Sequence, residues 1–188
     1  MSSFKKLGVL VAILALSAIG AATASAASFT YSATGSLSGK ATTTQTLTTN
    51  SGQLKCTVAS TTGSIVSTSL SEIHVTVQYS GCTAFGFASV DISPAKYTFT
   101  ANGTADLKSS ITFNVTLAGC HMTITPGSHE LVSYTNSSGK LLLFLKLSRL
   151  RYHGTGGLCG SSTEQTNGTY EGKIEIERVG GGSISWDA

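Results

Sequence analysis

Cysteines are the residues of this sequence whose chemistry is easiest to assign. There are four: Cys56, Cys82, Cys120 and Cys159. They contain no C-x-x-C pair, which argues against a zinc site. An even number of cysteines in an exported chain is typical of disulfides, and four cysteines allow three pairings. We favour Cys56–Cys82 with Cys120–Cys159, because each bridge then closes one local unit and contributes about 3.5–4 kcal/mol in the chain-entropy estimate.

A Ser–His–Glu run, at Ser128, His129 and Glu130, contains the residue types of a hydrolytic triad. Adjacent residues of a strand point to opposite faces, so these side chains cannot form a relay locally. The nucleophile elbow G-x-S-x-G is also absent. We therefore predict no catalytic residue. An unrecognised hydrolase is the third functional hypothesis, and it requires a cleft where a histidine and a carboxylate converge.

Histidines are the candidate metal ligands. There are four: His74, His121, His129 and His153. His121 and His129 could meet across a hairpin with Asp106 or Glu130 near by, but no H-E-x-x-H or other short ligand spacing occurs. Exposed polar residues at strand ends are the simpler interpretation, and we predict no metal site and no cofactor.

Carboxylates and glycines offer two further kinds of site. Paired acids for glycoside hydrolysis must face one cleft. The chain has only 9 acidic residues, and Glu171, Glu175 and Glu177 share one strand face, where a role as edge charge is favoured. The glycines of HGTGGLCG (153–160) resemble a phosphate cradle, but no Lys-Ser/Thr pair follows them. We interpret that stretch as a loop leading to a disulfide.

The first 26 residues predict export. Lys5 and Lys6 precede an apolar run, and small residues lead to a cleavage site after Ala26. A transmembrane anchor is the alternative, but the run is short for a span and the cleavage site follows at once. Removing the two lysines from 12 basic residues leaves 10 against 9 acidic ones. A chain so nearly neutral has no general attraction for nucleic acid.

The elements that must position these residues are strands. IHVTVQY (73–79) and ITFNVTL (111–117) alternate apolar and polar residues strictly, which is typical of half-buried strands. YEGKIEIERV (170–179) alternates as well, with Tyr170, Ile174 and Ile176 inward. KLLLFLKLSRLRYHG (140–154) predicts a long strand with a β-bulge near Ser148, where the leucine phase slips.

Charged side chains on the last two of these strands suggest cross-strand pairs. Lys146, Arg149 and Arg151 could lie opposite Glu175 and Glu177, which would contribute about 0.2–1 kcal/mol per pair. Two unrelated solvated faces are the alternative.

The pattern as a whole predicts an all-β fold, an antiparallel β-sandwich or flattened barrel with two disulfides. We assign 1–26 to a signal peptide, 27–53 to a polar and partly flexible segment, and 54–188 to the β-domain. The low-complexity stretch 34–53 predicts a weakly stranded edge. The strand-Gly-Cys motif occurs twice, at 73–82 and 111–120. We interpret it as scaffold, either two equivalent halves or a convergent strand-end motif.

Several blocks of the chain resemble a group of small exported β-proteins predicted from high-GC, actinobacterial-type genomes. These blocks are the leader KKLGVLVAILALSAIGAATASAA, then LKC…GSI…VQYSGC, then LAGCHMTI…LCG…NGTYEG. The resemblance implies an exported β-protein and carries over no activity and no functional residue.

Together these observations predict an exported β-domain without enzymatic activity. We expect a binding or structural module of the cell envelope or extracellular space, with a cell-wall polymer or an extracellular protein as partner. No nucleic acid and no stable membrane span after cleavage are expected. The alternative is a freely secreted factor, such as an inhibitor, for which residues 84–88 after Cys82 form the candidate loop.

Overall fold

The computed structural model is almost entirely antiparallel β-structure arranged as a sandwich-like fold, as the sequence predicts. It describes residues 26–116, 119–130, 132–156, 159 and 162–188, so the predicted leader up to residue 25 lies outside the described residues. The strands are β1 Ser28–Tyr31, β2 Gly35–Ala41, β3 Gln45–Thr49, β4 Gly52–Ile65, β5 Ser69–Leu70, β6 Glu72–Ala84, β7 Ala88–Ile92, β8 Ala95–Thr100, β9 Thr104–Leu107, β10 Ile111–Val115, β11 Cys120–Ile124, β12 Gly127–Glu130, β13 Val132–Ser137, β14 Lys140–Thr155, β15 Gln165–Arg178 and β16 Ile184–Asp187.

Four long strands form the frame of the molecule. β4, β6, β14 and β15 contain 14, 13, 16 and 14 residues, while the other strands are shorter. At one end the hydrogen-bonded ladder runs β6–β4–β3–β15–β14–β11–β10–β7 and returns to β6. At the other end β2 lies between β15 and β4, and β8, β9 and β12 follow β6 in that order. β13 returns the chain to β14. The two layers of the sandwich are therefore joined to each other by hydrogen-bonded strands.

A separate three-stranded sheet, ordered β16–β1–β5, covers one end of the sandwich. Phe29 of β1 and Ile184 of β16 are fully buried. The Phe29 ring packs edge-on against Tyr134 at 5.1 Å between centroids, and Trp186 contacts the same tyrosine at 5.6 Å. This end sheet therefore extends the core instead of lying on the surface.

The predicted strand faces are confirmed where the structure describes them. Ile73, Val75 and Val77 are buried in β6, as are Ile111, Phe113 and Val115 in β10. Leu117 lies outside the described residues. In β15, Tyr170, Ile174 and Ile176 point inward.

The long strand predicted over 140–154 and its bulge are also confirmed. Leu147 and Leu150 of β14 are both buried, and the register against β15 shifts between them. Arg149 has a φ of 57°, which lets three residues span the distance that two would otherwise occupy. The main chain at Ser148 is thereby turned toward the interior.

Both disulfides form the favoured pairs. Cys56 lies directly opposite Cys82 in the β4–β6 ladder, with 4.0 Å between Cα atoms. Cys120, the first residue of β11, is bonded to Cys159 beyond the end of β14. The first bridge thus links two of the long strands, and the second closes the end where β10, β11 and β14 meet.

The two strand-Gly-Cys motifs are not equivalent positions of the fold. Gly81 and Cys82 lie inside β6, at a kink shared with β4, where a Cβ on Gly81 would collide with the Thr57 hydroxyl. Gly119 instead lies in the turn between β10 and β11, and Cys120 begins the next strand. Both glycines have positive φ, 59° and 55°, so both motifs require a backbone conformation that favours glycine. The two motifs nevertheless occupy different positions in the topology.

Two further expectations are wrong. Residues 34–53 do not form a sheet edge, because β2 and β3 each pair with both β15 and β4. The charged residues of β14 and β15 do pair, but in a different register: Lys140 binds Glu175 and Glu177 at 2.9 and 2.8 Å. Lys146 lies opposite Glu171. Arg151 lies 3.7 Å from Glu164, and Arg149 is a residue of the bulge.

One side chain completes the outer edge of β16. Asn136 Nδ2 donates to the Trp186 carbonyl at 2.9 Å, and the Trp186 amide donates to Asn136 Oδ1 at 2.8 Å. The indole Nε1 donates to the Ala101 carbonyl at 2.7 Å. The amide of Asn136 therefore replaces the main chain of a neighbouring strand.

Replacing Asn136 with alanine should loosen the C-terminal strand. We expect N136A to lower the free energy of unfolding by about 1–2 kcal/mol, since two hydrogen bonds are lost. The amide of Trp186 should also exchange its hydrogen faster. Urea unfolding followed by the fluorescence of the single tryptophan, together with hydrogen exchange, measures both effects. N114A, which removes only an exposed contact with His121, is the matched control. Unchanged exchange at Trp186 in N136A would contradict the assignment.

Candidate functional site

The Ser–His–Glu run lies on β12, whose alternation separates its members. Ser128 and Glu130 are exposed, whereas His129 points inward and is only 8% exposed. Asp106 faces Ser128 across the β9–β12 ladder, and hydrogen bonds from Ser128 and Lys108 lower the pKa of its carboxyl group. Ser128 and His129 thus lie on opposite faces and cannot exchange a proton directly.

The histidines are spread over β6, β11, β12 and β14, and of the four only His129 is buried. His121 is exposed on β11 and contacts Asn114 Oδ1 at 2.6 Å, and His74 lies 3.1 Å from Glu72. The expectation that all four are exposed residues at strand ends is wrong for His129, because its ring is part of the core. Within the part of the chain that the structure describes, no three His, Cys, Asp or Glu side chains are grouped closely enough to hold a metal ion.

The candidate inhibitory loop is a tight connection between β6 and β7. Phe85 and Gly86 have φ values of 56° and 83°, so the backbone reverses within three residues. Phe87 is 71% exposed and projects from this turn. The turn presents a single aromatic side chain and no extended segment.

A large groove crosses the outer surface over β13, β14, β15, β3 and β4. Its volume is about 920 Å³. Hydroxyl groups line much of it: Thr43, Thr44, Thr46, Thr48, Ser133 and Thr169. Because alternate residues of a strand share a face, the threonine-rich segment that precedes and forms β3 supplies several of these hydroxyls.

The register places charged groups of the groove in one row across four strands. Lys146 lies opposite Glu171, Glu171 opposite Thr46, and Thr46 opposite Lys55. The two lysines are thus three strand spacings apart, about 14 Å. Lys173 adds a third cation, with its Nζ 4.7 Å from the centre of the Phe144 ring.

The groove lysines have no carboxylate partner among the described residues. The ion pairs found within 4.0 Å there use His74, Lys108, Lys140 and Arg151 as the cationic groups. With three lysines and Glu171 as its one acid, the groove concentrates positive charge on a chain that is otherwise nearly neutral.

Beneath the groove, a chain of buried polar groups crosses the interior. Tyr170 OH donates to Gln45 Oε1 at 2.5 Å, and Tyr79 OH donates to Tyr170 OH at 3.3 Å. Tyr97 OH lies 3.3 Å from Tyr79 OH. Gln45 is 1% exposed, and its Nε2 donates to the Thr43 and Lys173 carbonyls at 2.7 and 3.2 Å.

An interior cavity adjoins this chain of hydroxyl groups. Tyr97, Tyr79, Tyr170 and His129 line it together with leucine, isoleucine and phenylalanine side chains. His129 Nδ1 lies 3.2 Å from the Ser148 carbonyl, which the β14 bulge turns inward. Burial lowers the pKa of His129, which favours the neutral form of its ring.

Sequence reasoning missed Gln45 and His129 as interior residues. One signal for Gln45 existed: Gly172 interrupts the apolar phase of β15, and a Cβ there would collide with the Gln45 amide. A glycine inside a strand often marks such a close approach. For His129 the signal was the predicted bulge, which exposes a carbonyl to the inner face of the sheet.

Comparison with known proteins adds no relative: no protein-family model, curated protein or solved structure matches this chain. Over the described residues, no helix is long and apolar enough to cross a membrane. The site is therefore characterised by its own geometry alone.

The buried tyrosines should make the protein less stable at alkaline pH. Burial raises the pKa of Tyr31, Tyr79, Tyr97, Tyr134 and Tyr170 above the usual value. A group whose pKa is raised on folding stabilises the fold fully below its unfolded pKa and loses that contribution as the pH rises. Tyr97 and Tyr170 should therefore each lower the free energy of unfolding by about 1.4 kcal/mol per pH unit above about pH 10.

Tyrosinate absorbance and circular dichroism, recorded together against pH, measure this effect. We expect most of the phenol ionisation to coincide with loss of the native dichroism signal. Ionisation of most tyrosines near pH 10, with the native signal retained, would contradict the buried chain.

Proposed function

We propose that this protein is an exported, non-enzymatic binding module that holds an anionic polymer of the cell envelope or extracellular space in its outer groove. The observation that carries the proposal is a group of three exposed lysines within a groove of about 920 Å³ lined by hydroxyl groups: Lys146 and Lys55 lie in one row across the strands, and Lys173 lies beside that row. Lysine ammonium groups attract carboxylates and phosphates, while threonine hydroxyls can donate to and accept from sugar hydroxyls.

The arrangement favours a polymer over a small ligand. The row of charges extends across β14, β15, β3 and β4, so one anionic group of a small molecule cannot reach all three lysines. Glu171 lies between two of the cations and can accept hydrogen bonds from hydroxyl groups of the same polymer. Repeated anionic groups along a chain would meet Lys146 and Lys55 about 14 Å apart.

The groove is also a stiff surface, which favours binding. Gln45 ties the main chain of Thr43 to that of Lys173 from inside. The Lys173 amide donates to Thr43 Oγ1 at 3.0 Å. A surface that is already ordered loses less conformational entropy when it binds a ligand. A non-enzymatic role is further supported by Ser128 and His129, which face opposite sides of the sheet.

A freely secreted inhibitor is the second candidate, supported by the exposed ring of Phe87 in the turn that follows Cys82. The left-handed backbone of Phe85 and Gly86 makes the turn too tight to present an extended peptide. We therefore prefer the groove as the binding surface.

Charge-removing substitutions in the groove test the proposal. The triple variant K55Q/K146Q/K173Q should weaken binding to an anionic polymer about tenfold, since three exposed charge interactions are lost. K40Q/K96Q/K108Q removes the same charge outside the groove and should have little effect. Affinity electrophoresis in gels that contain polygalacturonate, poly(glycerol phosphate) or neutral dextran measures the binding and separates carboxylate from phosphate ligands.

The salt dependence supplies an independent criterion. Binding should weaken between about 10 mM and about 1 M salt, over which the Debye length falls from about 30 Å to about 3 Å. Equal retardation by dextran, or equal losses in the two triple variants, would contradict the groove as an anion-binding surface.

Fractionation of the native host tests the location. We expect the shortened chain on the cell wall, released by a salt wash. Free monomer in the medium would favour the secreted factor, and a full-length chain in the membrane would show that the predicted leader is not cleaved.

A further inference from the structure

His129 carries a buried nitrogen atom that no described residue satisfies. Its Nε2 atom has no hydrogen-bond partner there, although the ring is more than nine-tenths buried. The ring lines the same cavity as Tyr97. A buried polar atom without a partner costs about 1–3 kcal/mol, so such an atom points to a group that binds there.

The hydrogen-bond geometry fixes which chemistry Nε2 offers. A carbonyl oxygen only accepts, so the contact with the Ser148 carbonyl requires a hydrogen on Nδ1. In a neutral imidazole the other nitrogen then carries a lone pair. Nε2 is therefore an acceptor, and the ring that carries it lines the cavity.

The tyrosine chain ends in a second acceptor. Tyr170 gives its hydrogen to Gln45, and Tyr79 gives its hydrogen to Tyr170. The Tyr97–Tyr79 contact therefore requires Tyr97 to donate, since the hydrogen of Tyr79 is already used. The oxygen of Tyr97 keeps a lone pair, and Tyr97 lines the same cavity.

Charge and size limit what can occupy the site. Among the described residues, no Asp, Glu, Lys or Arg lines the cavity, and a charged ligand buried without a counterion is strongly disfavoured. The volume open to the centre of a water molecule is about 30 Å³, room for one or two waters or a molecule of similar size.

We propose that this cavity is a binding site for one small neutral hydroxyl compound, whose O–H group is donated to His129 Nε2. Water is its ligand in plain buffer, and methanol is a compound of the same chemistry that can replace it. The Tyr97 oxygen is the second acceptor for a ligand with two donor hydrogens. The site is independent of the outer groove.

Nuclear magnetic resonance on the full-length mature chain tests the proposal. A long-range ¹⁵N–¹H correlation on ¹⁵N-histidine-labelled protein should show His129 as the Nδ1–H tautomer. Rotating-frame Overhauser spectra should show a long-lived water beside the His129 ring. With ¹³C-methanol added, Overhauser contacts from methanol to Leu150 and Phe113, which line the cavity, would report exchange of one hydroxyl ligand for the other.

Variants separate the site from general effects on folding. H129F should abolish both the water and the methanol signals. Y97F should weaken the water signal, because water has a second hydrogen to donate, and should leave the methanol signal and the His129 tautomer unchanged. H121F alters an exposed histidine and should leave all three measurements unchanged. Should H129F not fold, Y97F and the wild-type tautomer still decide the outcome.

Two results would overturn the proposal. One is an Nε2–H tautomer in the folded wild-type protein, since Nε2 would then be a donor. The other is the absence of both a long-lived water and a methanol contact at His129. A water signal without methanol binding would support the hydroxyl site and restrict it to water.

Discussion

The structure depends on keeping one face of four long strands buried while the ladder curves back on itself. Strict alternation over 13–16 residues cannot do this alone, because a closing sheet must bend. The chain resolves the conflict with local slips in the alternation of buried and exposed residues. Cys56 and Ala59 of β4 are both buried although they are three residues apart, and Gly81 of β6 supplies the matching kink. The bulge at Arg149 serves the same purpose in β14.

These slips also determine where polar groups can enter the core. The bulge presents the Ser148 carbonyl to the interior, and that carbonyl holds the His129 ring. Gly172 leaves a space on the inner face of β15, and the amide of Gln45 fills it. The outer groove and the interior chain are opposite faces of the same strands, and the amide of Gln45 joins them through the main chain of Thr43 and Lys173.

Much of the fold could be predicted from the sequence, because its strongest signals are local. Alternation gave the inward faces of β6, β10 and β15, and the break in leucine phase indicated the bulge in β14. The segment 34–53 was wrongly predicted as an edge because it lacks the apolar pattern that is typical of a strand paired on both sides. β3 is paired on both sides, but one of its buried residues, Gln45, is polar. The charge pairs depend on the register of β14 against β15. That register is set by tertiary packing, and no short stretch of sequence encodes it.

The groove could not be foreseen for a related reason. Its cations come from β4, β14 and β15, and only the assembled ladder brings them onto one surface. The lone pair of Nε2 similarly depends on a carbonyl 19 residues away along the chain. Alternation assigns residues to the inner or the outer face of one strand, but it does not show which residues of different strands become neighbours.

The pairing of β1 with β16 has a consequence for the order in which the molecule folds. Thr30 and Ser185 are hydrogen-bonded across 155 residues of chain, and the buried Ile184 belongs to the same strand pair. Contacts of such long range form slowly, since the entropy of closing the intervening loop is lost before they stabilise the fold. The end sheet therefore cannot be completed until the last strand is available, so synthesis of almost the entire chain precedes completion of the core.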